Sequence, residues 1–94
     1  MSDTAIVTTL DAKPRVSKQF RLQWEEAQQS WVLLYPEGMV KLNGSAGEIM
    51  KRCDGMATLQ EIVTDLERSF GAEDLTKDVL GFVELAKKQR WIEV

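Results

Sequence analysis

Residues 34–49 read LYPEGMVKLNGSAGEI, and this stretch carries the signals that decide the fold. Its segment Pro36-Glu37-Gly38 combines a residue of fixed φ with one that tolerates most φ values, which is typical of a tight chain reversal. Residues 31–35 before the reversal are aliphatic, β-branched or aromatic. After it, Val40 and Leu42 lie two residues apart and therefore on one face of a strand. We predict a β-hairpin whose strands cover residues 31–35 and 39–42.

A further strand is predicted before the hairpin, over residues 19–25, because Phe20, Leu22 and Trp24 alternate with polar residues. The three strands would form an antiparallel sheet with the strand over residues 39–42 at one edge. An edge strand keeps one row of backbone N–H and C=O groups unpaired, so an extended peptide could pair there. Alternatively, Lys41 protects this edge from aggregation. The spacing of residues alone does not separate these alternatives.

Three helices are predicted after the sheet. The S-x-x-E pattern of residues 45–48 is a capping box that begins a helix over residues 46–53. A second capping box at residues 58–61 begins a helix that ends before Gly71. The third helix is predicted to begin near residue 73, with acidic residues at its start and basic residues at its end. The order βββααα predicts an α+β fold that is similar to a winged helix.

The third helix carries an apolar stripe at helical spacing, which Leu80 does not share. The stripe consists of Leu75, Val79, Phe82, Val83 and Ala86. Because its residues could face either the core or a groove beside the sheet, the pattern leaves both roles open. Leu80 is a weak candidate for a second contact surface.

The first part of the chain has a different character from the rest. Residues 1–17 show no helical or strand period, are rich in Thr, Ser and Asp, and place Pro14 among charged residues. We predict a flexible N-terminal tail over residues 1–17 and a single domain over residues 18–94, which the length of 94 residues accommodates.

The composition argues against catalysis by this chain. It has no His and one Cys, Cys53, so His-based catalytic groups, internal disulfides and Cys-based metal sites are absent. Its carboxylate pairs have solvation or helix-dipole explanations. We therefore expect no enzyme activity, no catalytic residue, no cofactor and no bound metal, and we expect Cys53 to be a buried packing residue.

The charge and the apolar runs exclude other classes of protein. The longest apolar run, residues 31–35, is far shorter than the roughly 20 residues that a membrane helix needs. Together with the lack of a signal peptide, this predicts a cytoplasmic protein that contacts no membrane. With 12 basic against 15 acidic residues, nucleic acid is a poor partner. The rival interpretation, a winged-helix DNA-binding regulator, is therefore disfavoured.

Residues 34–49, together with Cys53-Asp54-Gly55 and the TLQEI of residues 58–62, closely resemble the PqqD family of pyrroloquinoline quinone biosynthesis. The terminal segment Arg90-Trp91-Ile92 is also similar to the end of that family, although Arg90 stands where the family usually has a small residue. The resemblance covers residues 18–94 and leaves the N-terminal residues outside it.

The resemblance implies a non-catalytic domain that recognises the precursor of a ribosomally synthesised and post-translationally modified peptide (RiPP). Such a domain captures the precursor peptide PqqA and presents it to the radical-SAM enzyme PqqE, which joins a Glu and a Tyr side chain by a carbon–carbon bond. The peptide is expected to add a strand beside the third strand and to lie in a groove against the third helix. The residues that this implies are Met39, Val40, Lys41, Leu42 and Asn43 on the strand and Leu75, Val79 and Val83 on the helix.

Overall fold

The computed structural model describes residues 8–94. Eight elements, numbered in chain order, make up the fold. They are β1 (Arg15–Val16), β2 (Arg21–Glu25), β3 (Ser30–Tyr35), β4 (Gly38–Lys41), α1 (Gly44–Met50), α2 (Leu59–Phe70), α3 (Thr76–Lys88) and β5 (Ile92–Glu93). The predicted three strands followed by three helices are confirmed, whereas the two short strands β1 and β5 are additional.

The central sheet has the strand order β2-β3-β4, with both pairs antiparallel. Leu22 lies opposite Leu33, which in turn lies opposite Val40, so these residues share one face of the sheet. Leu33 has no exposed surface and belongs to the core that the helices form against this face. Strands β2 and β4 are the two edges, because β3 separates them.

Helix α1 begins two residues earlier than predicted, and its cap is a different residue. Asn43 is the N-cap, and its Oδ1 accepts a hydrogen bond from the Ala46 N–H at 2.8 Å. The prediction of a capping box that begins at Ser45 is therefore wrong. The Leu42 N–H still pairs with strand β3, so the first residue able to leave the sheet and cap the helix is Asn43.

The other helix boundaries follow local backbone geometry. Thr58 and Glu61 form the predicted capping box of α2, and Gly71 ends this helix with a left-handed φ of 60°. Helix α3 begins at Thr76, later than predicted, because Asp74 has a φ of 59° and so cannot belong to a right-handed helix.

The N-terminal segment packs against the domain. The first two N–H groups of α2 donate to the C=O groups of Ala12 and Leu10, both at 2.9 Å, and β1 pairs with β5. Pro14 is fully buried. The prediction of a flexible tail is wrong for residues 8–17, because the free N–H groups at the start of α2 find their acceptors there. Residues 1–7 of the predicted tail lie outside the described residues.

Helix α1 lies unusually close to the sheet. A Cβ atom added at Gly47 would lie 2.8 Å from Cδ1 of Trp31, which is closer than packed side chains tolerate. Cys53, just after the helix, is buried and donates its S–H to the Ile49 C=O. Burial raises the pKa of the Cys53 thiol to about 12, so the group is inert at neutral pH. Across residues 8–94, every helix is too short or too polar to span a bilayer.

Candidate functional site

Among residues 8–94, strand β4 pairs with β3 on one side and with no strand on the other, so its other side is a free edge. The Leu42 N–H donates to the Trp31 C=O at 3.0 Å. Antiparallel strands alternate between residues that exchange hydrogen bonds and residues that do not. Val40, two residues before Leu42, therefore also bonds to β3, whereas Met39 and Lys41 direct their N–H and C=O groups away from it. These two residues supply the free donors and acceptors of the edge.

The side chains of this segment alternate in exposure. Met39 is 46% exposed and Lys41 is also exposed, whereas Val40 is half-buried and Leu42 is buried. Asn43 is exposed but holds the start of α1. The segment that the sequence singled out thus offers a partner mainly its backbone at residues 39 and 41, while the side chains of residues 40 and 42 anchor the strand in the core.

The structure fixes the helical phase of α3, which the sequence left open. Val79, Val83 and Ala86 form its buried line, with Val79 2% exposed and the other two fully buried. Val83 therefore belongs to the core, and its placement in a groove is corrected: it lies at the centre of the packed face of α3. Leu75, just before the helix, is half-buried and can contribute to a surface.

Several apolar residues at the surface of the helices were missed or misplaced. Phe70 at the end of α2 is 57% exposed and Leu85 of α3 is 46% exposed. Leu80, the weak candidate for a second contact surface, is half-buried and packs against the core. Leu85 follows Phe82 at i+3, and this spacing could have predicted that the two side chains lie next to each other on the helix surface. Phe82 is half-buried, and its ring centroid lies 6.3 Å from that of Trp91.

An apolar cavity of about 520 Å³ lies where the start of α1, the end of α2 and the start of α3 meet. We call it the three-helix cavity. Its wall combines two acidic side chains, Glu48 and Asp78, with a larger apolar part that consists of Ile49, Leu66, Phe70, Ala72, Leu75 and Val79. Gly44 and Ser45 of α1 also line it, and Gly44 follows the last residue of strand β4 by three positions in the chain.

A second cleft, beside α2, is charged and internally satisfied. Nε of Arg52 lies 2.6 Å from a carboxylate oxygen of Asp65, and this hydrogen bond lowers the pKa of Asp65. The same guanidinium donates to Glu48 at 2.8 Å. The arrangement ties α1 to α2 and leaves the Arg52 charge paired. Within residues 8–94, no group of three or more metal-ligating side chains comes together.

Comparison with known proteins places this geometry in context. Residues 30–92 match the family described as coenzyme PQQ synthesis protein D (PqqD). The chain is 48% identical over 88 residues to the PqqA binding protein of Azotobacter vinelandii, covering 93% of this chain and 96% of that protein. It is also 48% identical over 87 residues to the PqqA binding protein of Pseudomonas aeruginosa strain UCBPP-PA14, with 92% and 95% covered.

A solved structure has the same fold. It is the solution NMR structure of the PqqD truncation of Methylobacterium extorquens PqqCD, described as a functional and stand-alone RiPP recognition element. The two chains superpose with a TM-score of 0.71 at 28% sequence identity, covering 86% of this chain and 88% of that one.

Proposed function

This chain belongs to the PqqD family, and from that premise we propose that it binds the precursor peptide PqqA by strand addition to β4 and presents it to PqqE. The observation that carries the proposal is the free edge of β4. Met39 and Lys41 direct their backbone N–H and C=O groups away from β3, at the edge of the sheet. One face of this sheet packs on the helices. An extended peptide can satisfy these groups, and backbone pairing of this kind supplies affinity. The names of the relatives from A. vinelandii and P. aeruginosa support PqqA as that peptide.

The apolar surface beside the edge supplies the selectivity. Met39 at the edge and Leu75 before α3 retain exposed area, and Val79 contributes a small remaining surface. Side chains that alternate along a paired peptide can contact such residues, which distinguishes one peptide from another.

The domain acts by holding the peptide rather than by transforming it. Fixing PqqA next to the active site of PqqE raises its effective concentration and restricts its orientation, and both effects accelerate a reaction without a chemical group from this chain. The carbon–carbon bond formation then belongs to PqqE alone. A cytoplasmic location stays a prediction.

An amide NMR titration with synthetic PqqA tests the binding mode. The N–H groups of Met39 and Lys41 should become protected from hydrogen exchange when the peptide binds, because they gain acceptors. Those of Val40 and Leu42 should be protected in both states, because they already bond to β3. This alternation of protection distinguishes strand addition from a general tightening of the domain.

Within the part of the chain that the structure describes, the sheet has a second free edge at β2, which provides the internal control. If PqqA protected the amides of residues 21–25 instead, strand addition to β4 would be refuted while peptide binding would stand. Binding of duplex DNA with a steep salt dependence, in the absence of PqqA binding, would favour the rival regulator.

A further inference from the structure

We propose that the free edge of β2 pairs with β2 of a second copy of this chain, in an antiparallel arrangement centred on Gln23. The two sheets would then join into one sheet of six strands in the order β4-β3-β2-β2-β3-β4. This inference does not rest on the proposed function, because β2 and β4 are opposite edges of the sheet. Both β4 edges remain free in the dimer.

The backbone of β2 offers hydrogen-bonding groups at two residues. Trp31 uses its C=O group for strand β4. In an antiparallel sheet the next residue, Val32, therefore bonds to β2, where it lies opposite Gln23. Leu22 and Trp24, the neighbours of Gln23, direct their N–H and C=O groups away from β3. Among residues 8–94, no loop or helix bonds to the backbone of these two residues, so the edge is open.

Self-pairing requires a register in which free backbone groups meet free backbone groups. With Gln23 on the two-fold axis, Leu22 of each copy lies opposite Trp24 of the other, so these outward-facing residues exchange hydrogen bonds. The same register places Arg21 of each copy opposite Glu25 of the other. Directly opposite residues of an antiparallel pair have Cβ atoms about 5 Å apart, which is within reach of an ion pair.

The charges of β2 suit a second copy of the strand. Arg21 and Glu25 are its first and last residues, so the strand is complementary to itself when it is reversed. Arg21 is exposed, and among residues 8–94 it forms no ion pair within its own chain. The Gln23 side chain donates to the Glu25 carboxylate at 3.1 Å, which holds this carboxylate on the face that also carries Arg21. Strand β4 has only the charge of Lys41 and lacks this self-complementarity.

The other face of β2 supplies apolar contact. Trp24 is 42% exposed, and its ring lies edge-on to that of Trp31, with 5.6 Å between the centroids. Pairing about Gln23 brings the Trp24 ring of each copy next to the half-buried Leu22 of the other. Aromatic residues are enriched in interfaces between proteins. Because a single strand is a small interface, we expect a weak dimer that forms in concentrated solution.

Charge reversal tests the register. Arg21→Glu places a carboxylate opposite Glu25, and the two-fold symmetry turns two attractive pairs into two repulsive ones. We expect the dissociation constant of the dimer, measured by analytical ultracentrifugation of the full chain, to rise at least about tenfold. Adding Glu25→Arg to this variant exchanges the two charges and should restore the dimer. Lys77→Glu, at an exposed position of α3, is the matched control, because it changes the net charge equally without altering β2.

Hydrogen exchange of the wild-type chain locates the pairing. The amides of Leu22 and Trp24 should be better protected in concentrated than in dilute solution, because only the dimer gives them acceptors. The amides of Arg21 and Gln23 should be protected equally in both, because they already bond to β3. This concentration dependence requires no peptide, which distinguishes it from protection by PqqA.

Each outcome decides for or against pairing at β2. A chain that stays monomeric at the highest attainable concentration refutes the proposal, and so does a dimer that Arg21→Glu leaves intact. Concentration-dependent protection of Met39 and Lys41 would place the self-pairing at β4 and would also refute it. Should Arg21→Glu fail to fold by circular dichroism, the exchange measurement on the wild-type chain decides alone. If the wild-type chain forms this dimer but does not bind PqqA, the proposed function fails and the dimer stands, whereas the reverse result leaves the proposed function intact.

Discussion

The close approach of α1 to strand β3 predicts that one chemical change has opposite effects at two glycines. At Gly47 a new Cβ would lie 2.8, 3.1 and 3.2 Å from three atoms of the Trp31 side chain, and Trp31 is held between α1 and the sheet. At Gly81, inside α3, a new Cβ would meet nothing within 4 Å. Neither glycine has a positive φ, so Ala can adopt the backbone conformation at both positions.

The magnitudes follow from two opposing terms. Replacing Gly by Ala inside a helix stabilises it by about 1 kcal/mol, which both variants gain. Overpacking at Gly47 costs about 1–3 kcal/mol in addition, because Trp31 or α1 has to move. We therefore expect Gly81→Ala to be more stable than wild type by about 1 kcal/mol, and Gly47→Ala to be less stable than Gly81→Ala by about 2 kcal/mol.

Thermal unfolding followed by circular dichroism measures both variants side by side. For a domain of this size, a difference of about 2 kcal/mol corresponds to roughly 8–16 °C in Tm. Equal Tm values for the two variants would show that α1 does not lie against Trp31 as described. A lower Tm for Gly81→Ala than for wild type would show that the environment of α3 is more crowded than the structure indicates.

Three further predictions concern the edge, the N-terminal segment and the thiol. Lys41→Pro removes an outward N–H, so it should weaken PqqA binding at least about tenfold while the domain stays folded. Val40→Pro instead removes a hydrogen bond to β3 and should lower Tm. Retained affinity in a folded Lys41→Pro protein would contradict the assigned edge. Deleting residues 1–14 removes the two C=O groups that accept hydrogen bonds from the start of α2, so the free energy of unfolding should fall by about 2 kcal/mol. Urea titration measures this change. An unchanged urea midpoint would mean that the segment is not docked. Cys53 should resist a thiol reagent at pH 8 until urea unfolds the protein, because burial raises its pKa to about 12. Cys53→Ser, once shown to be folded, should still support product formation by PqqE with S-adenosylmethionine, as measured by mass spectrometry.

The part of the fold that the sequence predicts depends on local signals. The Pro36-Glu37-Gly38 turn and the capping box at Thr58 act within a few residues, and both lie where they were expected. The choice of Asn43 over Ser45 as N-cap depends instead on how far strand β4 remains paired with β3. The docking of residues 8–17 depends on backbone hydrogen bonds to α2 and on pairing with β5, both far away along the chain. Backbone bonds of this kind produce no periodic pattern of apolar side chains from which they could be predicted.

The candidate site, too, has one part that the sequence predicts and one part that it does not. Its backbone edge could be predicted, because the order of strands along the chain already places residues 39–42 at the outside of the sheet. Its side chains could not, because an apolar stripe on α3 has the same spacing whether it faces a groove or the core. Burial decides this: Val83 is inside, and Phe70 and Leu85 are outside.

The pairing of β1 with β5 determines how the domain responds to mechanical load. Arg15 lies opposite Glu93 and Val16 opposite Ile92, and an ion pair of 2.9 Å joins Arg15 to Glu93. Both chain ends therefore leave this pair from the same side, so a force applied between them separates the two strands one contact after another rather than sliding them together. Contacts that break one after another separate at a lower force than contacts that must all break together. In a single-molecule pulling experiment, we expect the segment before β2 to detach in a first, weak event, while the three-stranded sheet and its free edge remain folded.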